Sequence, residues 1–229
     1  MQSEIAGISS MATRQILADL ADACERRTGC RLVFRPMGGV DAARLIRAGE
    51  ATDIIILASN AIEQLESEGH VVRGSRLDFA RSGIAVAVPS GAARPTLADE
   101  ESVKHAILQA ARLCYSSGPS GDHLVQLCKR WGIHEAVSRR ALLAPPGVPV
   151  ATLLASEEAD LGFQQLSELI DAPGIDIVGP LPPEIQAVTV FSAGICSAST
   201  KPDAAGTVIG YLASRDAEAA KRRHGMEPA

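Results

Sequence analysis

The sequence has few aromatic residues and no run of basic residues. Aromatic side chains make up 3% of the 229 residues, so there is no visible platform on which nucleic-acid bases could stack. The formal net charge is -5 at pH 7, and lysine and arginine form no patch of the kind that tracks a phosphate backbone. We therefore predict that the protein does not bind nucleic acid.

Long hydrophobic runs are also missing. No apolar stretch approaches the roughly 20 residues that a membrane-spanning helix needs, so we predict no membrane insertion. The segment Met1–Ser10 lacks the basic and apolar regions of a secretory signal. This pattern predicts a cytoplasmic protein. A periplasmic location, with an ABC importer as partner, would follow only if a signal had been removed ahead of Met1.

The cysteines form neither a metal motif nor a redox motif. Their number, five, is odd, and their spacings fit no zinc or disulfide pattern. Most of them occupy apolar positions of periodic segments, which predicts buried thiols in a reducing compartment. We predict no metal site and no cofactor. The five residues are Cys24, Cys30, Cys114, Cys128 and Cys196.

Hydrophobic residues make up 46% of the chain, enough for a sizeable core, and their pattern alternates between strands and helices. Three strands in the first third are each followed by a helix, which predicts a parallel sheet with right-handed crossovers. We predict these strands at Glu4–Ile8, Arg31–Phe34 and Asp53–Ala58.

A second α/β unit begins near Gly83. The C-terminal helices have no strands of their own, so we predict that the chain returns to the first unit after about Phe191. The predicted fold class is α/β, with residues 1–82 and 192–229 in lobe I, residues 83–191 in lobe II and a ligand cleft between the lobes.

One strand-to-helix turn has the composition of an anion-binding site. The strand Ala111–Tyr115 leads through serine, glycine and proline into a predicted helix at His123–Trp131. Glycines allow close backbone approach, serines donate hydroxyl hydrogens, and a helix start offers free N–H groups. The alternative is an ordinary N-cap, in which Ser120 or Asp122 simply starts the helix.

Similar turns follow the first three predicted strands. In open parallel sheets, ligands bind beyond the carboxyl ends of the strands, so these turns would share one edge. Several serine and glycine turns at one edge favour an anion site over independent caps. The turn residues are Ser9, Ser10, Gly38, Gly39 and Ser59.

Four further residues could contribute more specific chemistry. Arg81 could clamp a carboxylate with two hydrogen bonds, or form a salt bridge at the surface or between lobes. His123 could act as a proton-transfer base, or be an exposed first-turn residue with Asp122. Gln164 and Gln165 end a strand and offer amide donors, although either could face solvent.

The chain resembles the substrate-binding proteins of molybdate ABC importers, which have the type II periplasmic-binding-protein fold. The resemblance covers nearly the whole chain and depends on the order and spacing of short motifs rather than on any one of them. The motifs are Thr28-Gly29, Gly49 followed by Asp53, Pro119–Gly121, Glu158–Gly162, and Tyr211–Ser214 followed by Gly225-Met226.

This resemblance implies two lobes that close on a small oxyanion held by neutral donors. It assigns ligand contacts to residues after the strands of both lobes. Gln165 stands where the molybdate binders have a tyrosine. Aconitate isomerase is similar to this family, so the resemblance also allows an enzyme on the same scaffold. The assigned positions are Ser10, Gly39, Ser59, Ser120, the Gly147-Val148 backbone and Gln165.

Three functions remain open from the sequence. The chain could bind a small oxyanion or a di- or tricarboxylate. It could isomerise an unsaturated polycarboxylate such as aconitate by allylic proton transfer, with His123 as the catalytic residue. It could be the ligand-sensing half of a regulator. The predicted ligand-binding residues are Ser9, Ser10, Gly38, Gly39, Ser59, Arg81, Ser117, Ser120, Gly121, Gly147, Val148 and Gln165.

Overall fold

The structure, a computed structural model, describes residues 3–229 and divides into two compact units. Unit 1 contains the chain up to Ser82 and again Thr189–Ala229, and unit 2 contains Gly83–Val188. The chain therefore leaves unit 1 within one strand and re-enters it at the start of another.

The helices and strands are numbered here in chain order. The elements up to the middle of the chain are β1 (Ser3–Ser10), α1 (Arg14–Thr28), β2 (Cys30–Met37), α2 (Gly39–Arg47), β3 (Ile54–Ala58), α3 (Ser59–Ser67), β4 (Leu77–Pro89), α4 (Glu100–Gln109), β5 (Leu113–Tyr115) and α5 (Pro119–Arg130). They are followed by α6 (His134–Ser138), β6 (Leu142–Leu143), α7 (Val150–Ala155), β7 (Leu161–Gln165), α8 (Leu166–Leu169), β8 (Ile175–Pro180), β9 (Val188–Ile195), α9 (Pro202–Ala213), α10 (Glu218–Arg223) and β10 (Glu227–Pro228).

The sheet of unit 1 has the strand order β2-β1-β3-β9-β4, and β10 pairs with β4. Strand β1 is parallel to both β2 and β3, whereas β9 is antiparallel to β3. The prediction of three parallel strands with helical crossovers is confirmed. Parallel neighbours end at the same edge, so the residues that follow β1, β2 and β3 lie together.

Strand β3 lies at the centre of unit 1, and Ile54–Leu57 is almost completely buried. One face of the sheet packs against α1 and α9, through residues such as Leu20 and Val208. The other face packs against α2 and α3, through Ile46 and Ile62. A near-continuous aliphatic run suits a strand covered on both faces, which explains why this run becomes the central strand.

The sheet of unit 2 has the order β4-β7-β5-β6, with β8 also paired to β4. Strands β5, β6 and β7 are parallel, and β4 runs antiparallel to β7 and β8. One face of the sheet packs against α4 and α5 through Phe163. The other face packs against α7, through Leu154. The carboxyl ends of β5 and β7 therefore share one edge, and their amino ends share the opposite edge.

All five cysteines are free and buried, as predicted. Burial raises the pKa of the Cys114 and Cys196 thiols to about 12, so both are protonated and inert at neutral pH. Among the described residues, no helix is both long and apolar enough to cross a membrane.

Candidate functional site

Helix α5 begins at Pro119, four residues earlier than the sequence pattern indicates. Its N-cap is Gly118, so the alternative in which Ser120 or Asp122 caps the helix is wrong. Proline is favoured at the first helical position because its fixed φ suits a helix and its missing N–H would have no partner there. Ser120 therefore does not cap α5.

Ser120 is 1% exposed and lies in the first turn of α5. Its hydroxyl oxygen is 3.3 Å from that of Ser116, and the Ser116 hydroxyl oxygen accepts the Gly118 N–H at 3.4 Å. The N–H of Ser120 is one of the first-turn donors that a helix cannot satisfy internally. The turn thus gathers hydroxyls and an N–H at the positive end of a helix, while Ser117 is exposed to solvent.

His123 is half-buried, and its Nε2 lies 2.7 Å from the carbonyl oxygen of Ile185. A carbonyl can only accept a hydrogen bond, so Nε2 carries a proton and donates it. The next residue, Gln186, bonds to the backbone of Ile84: its Oε1 accepts the Ile84 N–H at 2.8 Å, and its Nε2 donates to the Ile84 carbonyl at 3.0 Å. The one ring nitrogen of His123 left for proton exchange is Nδ1. Sequence reasoning missed Ile185 and Gln186, which lie in a loop without any local motif.

The other predicted residues of unit 2 differ in what they contact. Gln165 is buried at the carboxyl end of β7, opposite Ile84 in the sheet register. Gln164 accepts the Val150 N–H at 3.1 Å, so it holds the start of α7. The Val148 N–H donates to the Pro145 carbonyl at 3.0 Å, and Gly147 adopts φ 79° in the same turn. The Val148 donor is therefore engaged within its own loop.

The predicted turns of unit 1 follow three adjacent parallel strands and share one edge of the sheet. Gly38 is the N-cap of α2, and Gly39 is its first helical residue. Ser59 is the first residue of α3, whose N-cap is Ala58. Neither helix receives a side-chain capping bond from the residues that the structure describes. Their first-turn N–H groups are therefore open to a ligand.

Ser9 and Ser10 have opposite environments at the end of β1. The Ser10 hydroxyl accepts the Ala12 N–H at 3.3 Å and caps a short turn before α1. Ser9 is fully buried, and its hydroxyl has no hydrogen-bond partner among the described residues. An unsatisfied buried hydroxyl costs free energy, so Ser9 marks a place where a partner would be favourable.

Arg81 is exposed and holds the C-terminal strand. Its Nε donates to the Pro228 carbonyl at 3.0 Å, and it lies opposite Glu227 in the sheet register. This arrangement uses the guanidinium inside unit 1. A carboxylate clamp at Arg81 stays a prediction.

The donors of these turns are neutral, and each unit holds its own set. Hydroxyls and N–H groups at helix starts suit an anion that only accepts hydrogen bonds. Among the described residues, no group of three or more His, Cys, Asp or Glu side chains could hold a metal ion. The arrangement can therefore bind an anion and stabilise negative charge that develops on it.

Comparison with known proteins identifies both a family and a full-length relative. The profile of a family described as bacterial extracellular solute-binding protein matches residues 5–227. An aconitate isomerase from Pseudomonas sp is 36% identical over 228 residues, which cover 96% of this chain and 86% of that protein.

Solved structures show the same fold at lower identity. The periplasmic molybdate-binding protein of Azotobacter vinelandii is 21% identical, with a TM-score of 0.81 over 97% of this chain and 98% of that one. A sulfate-binding protein of Mycobacterium tuberculosis H37Rv is 14% identical, with a TM-score of 0.79 over 99% and 87% of the two chains. At these identities the likeness shows the fold alone.

Proposed function

Because the chain belongs to the bacterial extracellular solute-binding protein family, we propose that it binds a small anion bearing two or three carboxylates. The predicted resemblance to substrate-binding proteins is confirmed by the same match. The observation that carries the proposal is the pair of serine hydroxyls, on Ser116 and Ser120, in the first turn of α5.

Neutral donors in this turn suit a fully ionised carboxylate. Such a group accepts several hydrogen bonds, and hydrogen bonds to charged groups are worth about 1.5–3 kcal/mol each. The positive end of a twelve-residue helix adds a favourable field without a counter-charge. The burial of Ser120 excludes water, which strengthens both effects.

Isothermal titration calorimetry would test this proposal. The panel is citrate, cis-aconitate, trans-aconitate, molybdate and sulfate, titrated into the wild type, Ser120→Ala and Ser138→Ala. The Ser138 hydroxyl is exposed and donates to the Glu135 carbonyl outside the turn, so its removal is a matched control. We expect a polycarboxylate to bind and Ser120→Ala to weaken it about 5- to 150-fold, that is by about 1–3 kcal/mol. If citrate, cis-aconitate and trans-aconitate all fail to bind, the proposal fails, whether or not molybdate or sulfate binds.

A second candidate function is isomerisation of an unsaturated tricarboxylate, and the 36% identical aconitate isomerase favours it. A base would remove a proton from a carbon beside a carboxylate, and the electron pair would spread over the allylic system. The proton would return at the other end of that system, which moves the double bond. The Ser120 N–H, in the first turn of α5, could stabilise the charge on a carboxylate oxygen, and Nδ1 of His123 could hold the proton.

Proton NMR in deuterated water separates the two functions. If the protein is an isomerase, the double bond of cis- or trans-aconitate shifts and deuterium enters the allylic position. We expect His123→Ala to slow turnover more than it weakens binding, while His134→Ala changes neither. Tight binding without turnover or label exchange identifies a binding protein, for which an ABC importer would be the partner.

A further inference from the structure

Unit 2 contains a cavity away from the α5 turn. It has a volume of about 600 Å³, and its walls come from the end of β4, the loop that follows it, α4 and the start of β7. This volume lies inside the range of about 300–1,000 Å³ that small-molecule sites occupy. A cavity of this size suits a molecule rather than a single ion.

The cavity lies at the opposite edge of the unit 2 sheet from Ser116 and Gln165. Ala110 and Asp160, which line it, precede β5 and β7, whereas Ser116 and Gln165 stand at the carboxyl ends of the same parallel strands. A ligand in the cavity would therefore be separated from an anion at the α5 turn by the length of the strands. The two sites are distinct within the same unit.

The floor of the cavity is apolar, and the acidic side chain that lines the cavity is Asp160. Val88, Ala106 and Leu161 are buried residues of the floor. The carboxylate of Asp160 accepts the Ala111 N–H at 2.7 Å and the Arg112 N–H at 2.8 Å, which fixes its orientation.

Hydrogen-bonding side chains of α4 complete the rim. His105 and Gln109 are exposed side chains one helical turn apart on α4, and both line the cavity. Neither lysine nor arginine lines it in the part of the chain that the structure describes. The charge that a ligand would meet is therefore negative, in contrast to the positive helix end at the α5 turn.

We propose that this cavity binds a small amphiphilic molecule with an apolar body and an ammonium head. The body packs on the floor formed by Val88, Ala106 and Leu161, and the head lies against the Asp160 carboxylate. Burial of an apolar body supplies most of the affinity, and charge complementarity selects the cation. This proposal does not depend on which anion the protein binds or on whether it is an enzyme.

Two fluorescent probes that share one body and differ in charge test the proposal. Monodansylcadaverine carries a primary ammonium, and dansylglycine carries a carboxylate. We expect the fluorescence of monodansylcadaverine to increase and to saturate with protein concentration. Citrate at about 10 mM, above the usual range of KM values for small molecules, should not change this binding. Dansylglycine should bind at least tenfold more weakly.

Variants locate the binding. Ala93→Phe fills the exposed wall of the cavity and should weaken monodansylcadaverine binding at least tenfold, while Asp160→Asn should erase the preference for the cation. Leu108→Ala, on an exposed position of α4 outside the lining, is the control. Because Ala93 is exposed, its variant keeps the test decisive even if Asp160→Asn disturbs folding. No saturable binding, equal binding of both probes, or indifference to Ala93→Phe would overturn the proposal.

Discussion

Gly121 has no room for a side chain, because the carbonyl oxygen of Ser116 lies 1.8 Å from where a Cβ on residue 121 would be placed. The backbone of the turn and the first turn of α5 are thus in direct contact. This contact holds the Ser116 and Ser120 hydroxyls together.

Replacing Gly121 with alanine should therefore separate the helix from the turn. We expect Gly121→Ala to lower the free energy of unfolding by about 1–3 kcal/mol and to abolish anion binding at this turn. The control is Gly210→Ala in α9, where a Cβ meets nothing within 4 Å. There we expect a gain of about 0.5–1 kcal/mol, since alanine has the higher helix propensity. Urea denaturation measures the free energy of unfolding of both variants. A Gly121→Ala protein as stable as the Gly210→Ala control would contradict the prediction.

Ser9→Ala should affect stability and binding in opposite directions. Removing a fully buried hydroxyl that has no partner should raise the stability of the ligand-free protein by about 1 kcal/mol. If the hydroxyl donates to the bound anion, the same change should weaken binding. Ser67→Ala, which removes an exposed hydroxyl on α3, should change neither. Thermal unfolding with and without ligand distinguishes the outcomes; a loss of stability in both states would show that Ser9 serves packing alone.

The tautomer of His123 can be measured directly. Long-range proton–nitrogen NMR should show Nε2 protonated in the neutral ring, because this atom donates to the Ile185 carbonyl. Gln186→Ala removes the side chain that bonds to the Ile84 backbone beside this loop, and it should weaken this preference. A neutral His123 protonated at Nδ1 in the wild type would disprove the assigned geometry and remove Nδ1 as a proton acceptor.

Lys221→Met should stabilise the protein. Lys221 is 1% exposed, and its ammonium lies 5.9 Å from the centre of the Phe79 ring. Burial lowers the pKa of Lys221, an effect that Glu218 partly opposes, because the charged form loses its hydration. Methionine keeps the aliphatic stem without the charge, so we expect a gain of about 1 kcal/mol at pH 7, or about 2–4 °C in Tm.

The advantage of Lys221→Met should shrink as the pH rises. Between the lowered folded-state pKa and the ordinary value of 10.5, the unfolded wild-type chain binds more protons than the folded one, so wild-type stability increases with pH in this window. Differential scanning fluorimetry from pH 7 to about 10 tests the trend. An advantage that grows with pH would show that the sign is wrong.

The regular parts of the fold could be predicted because their signals are local. The aliphatic run at the centre of β3 indicates a strand buried on both faces, and its spacing from β1 and β2 leaves room for helical crossovers. The periodic apolar residues of α1 indicate its buried face, and a glycine, Gly29 with φ 72°, follows its last residue, as is common at helix ends. Each of these features is determined by residues that are close in sequence, within one helical turn or one strand.

The details of the site could be predicted only in part. Pro119 is a local signal for the start of α5, although the apolar periodicity begins only at His123. The bond from His123 to Ile185 joins residues 62 apart, and the close approach of Gly121 to Ser116 depends on how a helix docks against a strand end. Such contacts leave no mark in the periodicity of a single sequence.

Unit 1 is built from both ends of the chain, whereas unit 2 is one continuous segment. On the ribosome, unit 2 can acquire its whole sequence while β9, β10 and the last two helices are still being translated. During that time β1, β2 and β3 have already been translated, but β3 lacks its antiparallel neighbour β9. The nascent chain is thus exposed to strand-mediated aggregation until β9 has been translated, and deletion of β9 should lower the yield more than an equal loss from a surface loop.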